Sequence, residues 1–102
     1  MTYKEFQESL PANAPPKWGT QGLKAVWYAA KDDWDASHNI AQEMHTPMGS
    51  LIHAYLHRKE GDAFNAGYWY RQAGKPFPNI SVEAELQEIV EAVLATKKSR
   101  SD

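Results

Sequence analysis

Two histidines four residues apart, His53 and His57, followed by Glu60, are the side chains of this chain best suited to chemistry. On a helix of 100° per residue they share one stripe, with Ser50 beside it, while Leu51, Ile52, Tyr55 and Leu56 take the opposite side. Imidazoles at i and i+4 offer two nitrogen ligands to one ion. Glu60 or His38 would complete a zinc-type set, with one position open to water. The metalloprotease use of this spacing needs a Glu directly after the first histidine, and that position is Ala54.

The same residues admit metal-free readings. Neutral rings of His53 and His57 can each give one donor and one acceptor to an inter-helix contact. They can also act as bases of a small acid/base, hydrolase-like enzyme, with Glu60 as base or third ligand. Around them, Tyr68 and Arg71 would extend a polar-aromatic groove formed by His38, His53, His57 and Glu60, suited to a carboxylate- or phosphate-bearing ligand. Arg58, Asp62 and Asn65 are expected as its supporting shell, the two arginines 58 and 71 being near enough in sequence to reach the carboxylates of the turn. Asp62 is most simply a helix cap, Gly61 a left-handed residue and Asn65 a partner for the turn or facing helix. His45, just before Thr46-Pro47, reads as an exposed end-of-helix residue.

Composition narrows the classes. The chain has 102 residues, 42% of them hydrophobic, with four Trp, five Tyr and three Phe, which predicts one folded domain over 1–102. A formal charge of −2 gives no reason to expect nucleic acid or an anionic membrane. The absence of cysteine removes disulfides, thiolate zinc sites and Cys nucleophiles. No stretch approaches the ~20 apolar residues of a membrane span, and no leader is visible at the start, so a cytoplasmic setting is the default expectation. Phosphate loops, dinucleotide fingerprints and exposed-serine elbows are not found.

The elements that must position these residues read as helices throughout. Thr2 and Glu5 form a capping box for a short helix ending at Pro11, and PANAPPKWGTQG continues as a loop that Trp18 is expected to pin. Residues 1–22 thus precede a first hairpin, 23–45, with Leu23, Val26, Trp27 and Ala30 on one stripe and Asp32 or Asp33 capping its second helix. A second hairpin, 47–74, starts at Pro47 and turns at Gly61-Asp62. Its second helix is apolar on two sides, through Ala66, Trp69, Tyr70 and Ala73 and through Phe64 and Tyr68, which predicts a central place with Trp69 and Tyr70 in the core. An amphipathic last helix, 81–98, opens at Ser81, and the tail KKSRSD is expected to be basic and then to fray. No segment alternates as a strand. The predicted fold is all-α, a compact orthogonal or stacked bundle of five to six helices built on two hairpins.

A shift of thirty residues aligns KDDWDASHNI with GDAFNAGYWY, pairing Asp32 with Asp62, Trp34 with Phe64 and Ala36 with Ala66. The second copy, A54…H57…G61…A66…Y70…A73…P78, resembles one tetratricopeptide unit, and this resemblance implies helical-hairpin geometry alone. The wider pattern DWDASH followed by HAYLHRKEGD and NAGYWYRQA resembles a group of small, uncharacterised, mainly bacterial helical proteins, which brings no activity with it. The combined expectation is a non-catalytic binding module, monomer or homodimer through its last helix, for an unknown protein or small polar ligand. The alternative is a small enzyme using the same histidines, with a divalent metal such as zinc held by His38, His53, His57 and Glu60. Whether His38 meets the other two rings decides between them.

Overall fold

The computed structural model describes the backbone of residues 1–100 and the side chains of residues 1–95; the expected fraying of KKSRSD lies outside the described residues. Six helices follow in order: α1 Tyr3–Ser9, α2 Gln21–Ala30, α3 Trp34–Met44, α4 Pro47–Lys59, α5 Ala63–Ala73 and α6 Val82–Arg100. No strand occurs among the described residues, and no helix is long and apolar enough to cross a membrane.

Local chemistry sets the helix starts. The Thr2/Glu5 capping box is present, and Thr20, Asp33, Thr46 and Asp62 each accept a backbone N–H three residues on. The two hairpin turns are built alike. Lys31 and Glu60 close α2 and α4 with φ of −86° and −82°, Asp32 and Gly61 follow in the left-handed region, and Asp33 and Asp62 cap α3 and α5. Asp33 N–H reaches Tyr28 O at 2.9 Å, and Asp62 N–H reaches His57 O at 2.8 Å, closing equivalent C-terminal turns.

This corrects the internal repeat. The structural period is 29, not 30: Asp33 rather than Asp32 is the counterpart of Asp62, and Ser37, not Ala36, is that of Ala66. Both Ser37 and Ala66 are fully buried where helices approach closely. Asp32 occupies the Gly61 position, and its short polar side chain makes the left-handed conformation tolerable.

One core joins α2, α4 and α6, with Trp27, Leu23, Ile52, Tyr55, Leu56, Ile89 and Val90 buried in it and Phe6 of α1 sealing one end. The apolar residues Ile89, Val90 and Val93 of α6 are therefore buried within the chain. The centre of the bundle is α4, which packs on α2, α3, α5 and α6. In contrast to the expectation from its two apolar faces, α5 lies at the edge against α4, leaving Phe64 84% and Tyr68 45% exposed. Trp18 is 56% exposed, and Lys31 reaches back to the carbonyls of Leu10 and Ala12.

A second correction concerns Arg58. It does not join Glu60 and Asp62 but turns to α6, pairing with buried Glu85 at 2.8 Å and donating to Ile80 O, while the Tyr70 hydroxyl donates to the other Glu85 oxygen at 2.6 Å. Burial and that carboxylate push the Tyr70 phenol up, so it remains a proton donor. The network fastens α4, α5 and α6 together. Truncating Glu85 strands a half-buried guanidinium, so Glu85→Ala is expected to lower the unfolding free energy by about 3–5 kcal/mol. Asp62→Ala, which loses a cap and the bond from the Asn65 side chain at an exposed turn, is expected to lower it by much less. Urea denaturation of both variants checks the ranking.

Candidate functional site

The histidine stripe of α4 faces α3, and His38 comes from that helix to meet it. Trp34 fixes the approach: its indole N–H donates to the carbonyl of Leu56 at 2.8 Å, pinning the start of α3 to the end of α4. One turn along α3, the His38 ring stacks on Trp34 with centroids 4.7 Å apart and planes 11° from parallel. Its Nε2 then lies 3.0 Å from Nε2 of His53. His53 is 6% exposed and stacks on Trp69 of α5, centroids 4.0 Å apart and planes 12° from parallel. His57 lies against both, its centroid 5.0 Å from that of His53 and 5.7 Å from that of His38. One nitrogen of each ring lies within 4.8 Å of one nitrogen of each of the others.

Glu60 sets the tautomer of His57. Its carboxylate sits 2.8 Å from Nδ1, and because a carboxylate can only accept, Nδ1 carries the proton of that bond; in the neutral ring the lone pair is then on Nε2. Asp62 stands close by, with an oxygen within 4.8 Å of His57 and Glu60 ligand atoms, while its carboxylate caps α5. Asn65 donates to Asp62 through its side chain at 2.7 Å and its backbone at 3.2 Å, and these bonds hold the Asp62 carboxyl below its ordinary value.

Burial pushes the His53 imidazolium down to about 4, with the charges of His38 and His57 adding to the effect. His38 moves in the same direction, chiefly by burial and then by His57, against the pull of Glu60 and Asp35. Both rings are neutral at pH 7. The hydrogen bond between them therefore holds one proton, carried by either Nε2.

His38, His53, His57 and Glu60 are thus brought together, with Asp62 and Asn65 behind Glu60. Tyr68 stands outside, edge-on to Trp69 at 5.1 Å, and Arg71 lies on the exposed side of α5 near Gly67. His45 is exposed in the left-handed C-cap position of α3. The two tryptophans were the residues sequence reasoning missed: Trp69 reads as core and Trp34 as one more helix aromatic, yet they form the walls of the cluster. Trp34 had a usable signal, since it precedes His38 by one helical turn. Against known proteins, the chain matches no family model, no curated sequence and no solved structure.

The lowered His53 value has a stability consequence with a definite sign. Between an unfolded value near 6.5 and a folded value of about 4, the unfolded chain binds the extra proton, so stability falls as pH is lowered through that window. The chelator-treated protein is expected to lose melting temperature from pH 6.5 to 4, and His53→Gln to flatten that slope. Thermal melts of the two proteins across the window are the check.

Proposed function

We propose that the protein is a small helical metal-binding module whose ion, a divalent first-row transition metal of the zinc class, is held by His38, His53 and His57. The observation that carries this reading is the convergence of three ring nitrogens from two hairpins, with His57 oriented by Glu60. A histidine that donates its far N–H to a carboxylate is the usual companion of metal ligation, because that bond fixes ring and tautomer. Tetrahedral zinc with bonds of about 2.0–2.1 Å places ligand nitrogens roughly 3.3–3.4 Å apart. The His38 and His53 nitrogens, at 3.0 Å, need open only slightly.

Ligand chemistry chooses the ion class. An all-imidazole set suits zinc, copper, nickel or cobalt and gives magnesium and calcium none of the oxygen ligands they require. The charged groups acting on these rings from outside are carboxylates, Asp35 and Glu60 on His38 and Asp62 beside His57, so the local field favours a cation. A fourth position is left for water or an outside donor.

Partner docking is a second reading, supported by the exposure of Phe64 and Tyr68 on the outer face of α5. It predicts self-association or partner contact that Phe64→Ser removes without touching metal binding; a monomer by light scattering at high concentration removes the self-association form of it.

The metal reading is tested by calorimetric titration of tag-free, chelator-treated protein with zinc and with cobalt. One equivalent is expected to bind, and the cobalt form is expected to show the intense visible bands of a tetrahedral site. Glu60→Gln is expected to weaken binding about 10–100-fold, and His38→Ala by more. Binding that is equal in the wild type and His38→Ala, or no binding at micromolar protein, sinks it.

A further inference from the structure

A cleft of about 440 Å³ opens between the segment Lys75–Ile80 and α6, and shares no lining residue with the histidine cluster. Its walls are apolar, formed by Leu51, Pro76, Pro78, Ile80, Ile89 and Ala92. Its polar floor has a definite character. Glu85 and Tyr70 line it, and the Tyr70 hydroxyl hydrogen is already given to Glu85, so both groups can offer an entrant only lone pairs. Arg58, the cation that would capture a carboxylate or phosphate, is not part of the lining; its guanidinium is committed to Glu85 and to Ile80 O.

Charge along α6 adds a direction. Glu85, Glu88, Ile89 and Ala92 fall on one face at helical spacing, so the carboxylates sit at the N-terminal end of the cleft and the apolar residues towards the other. Arg58 pairs with Glu85, and Glu88 adds a second, exposed carboxylate to the lining. Lys75, the one cation among the lining residues, is exposed on the opposite segment.

We infer that this cleft is a binding site for a small primary amine with an apolar body, its ammonium group between Glu88 and the acceptor floor of Glu85 and Tyr70, its body against Ile89 and Ala92. The volume lies within the range of small-molecule pockets, which combine mainly apolar walls with a few placed polar groups. A donor head meets acceptors at the floor, whereas an anionic head would meet two carboxylates there, with only the exposed Lys75 on the opposite segment to receive it.

The experiment is a titration of chelator-treated, isotopically labelled protein with hexylammonium, hexanol and hexanoate, followed through backbone amide NMR shifts. Chelator treatment separates the outcome from that of the metal reading. Hexylammonium is expected to shift amides of 75–80 and of the Glu85–Ala92 stretch of α6, with an affinity at least about tenfold above that of hexanol, hexanoate producing no saturable shift. Glu88→Gln, an exposed position that leaves the Arg58–Glu85 pair intact, is expected to remove most of the preference over hexanol. Ala92→Phe is expected to abolish binding of both by filling the cleft. The inference is overturned if no probe gives a saturable shift at these amides, if hexanol or hexanoate binds as well as hexylammonium, or if Glu88→Gln leaves the preference unchanged.

Discussion

The indole N–H of Trp34 and the carbonyl of Leu56 make the bond on which the candidate site depends. That carbonyl already accepts the N–H of Glu60 within the last turn of α4, so Trp34 uses its second lone pair. The bond therefore joins the start of one hairpin's second helix to the end of the next hairpin's first. Because the ring is held at one edge, it stacks face to face with His38 and meets His57 in an edge-type contact, with interplanar angles of 11° and 70°. Loosening it would let α3 slide along α4 and separate the rings, although no histidine would have changed. The capping carboxylate of Asp33, one residue before Trp34, keeps that helix start in place.

The chain buries polar groups in two different ways on the flanks of α4. On one flank His38 and His53 stay neutral, stack on indoles and share one proton, which avoids desolvating a full charge on either ring. On the other, Arg58 and Glu85 are both charged, and their desolvation is offset by a pairing that also includes Tyr70 and Ile80 O. Among the described residues no buried side-chain nitrogen or oxygen lacks a partner. A fully satisfied network of this kind fixes helix register more sharply than apolar packing alone, since a displacement of one turn would orphan several groups together.

Much of this was legible in the residue pattern. Helix starts follow from Thr2, Asp62 and Pro47, and the histidine stripe opposite Ile52, Tyr55 and Leu56 follows from 100° spacing, because both depend on local geometry. What was not legible depends on choices between distant partners. Arg58 is two and four residues from Glu60 and Asp62, the competitors of Glu85, yet the face of α4 on which it stands points to α6. Glu85 itself carried a signal, a lone acid four residues before Ile89 on the apolar stripe of α6, which should be read as a buried partner for some cation. The edge position of α5 was hidden because two apolar faces describe a helix equally well whether the second is covered or, as with Phe64, left to solvent. The repeat register slipped by one because Asp32 and Asp33 are the same residue type, and only backbone angles distinguish a left-handed linker from a cap.

The geometry of the histidine cluster also bears on which ions it would accept and how tightly. Of the three rings, His57 holds a proton on Nδ1, facing Glu60, so that in its neutral form Nε2 is the nitrogen with the lone pair. Between His38 and His53 one proton occupies the place an ion would take, so binding requires one ring to move its proton to Nδ1 and the two nitrogens to part from 3.0 Å. For bonds of about 2.0–2.1 Å the parting is about 0.4 Å, within what two stacked rings can yield. For an ion with bonds of about 2.3 Å or more, tetrahedral spacing rises to about 3.8 Å, and both rings would have to slide across Trp34 and Trp69. The stacked indoles thus act as stops on ring movement. Selectivity for small, nitrogen-preferring ions would come from those walls as much as from the imidazoles, and replacing either tryptophan with a small residue would relax it.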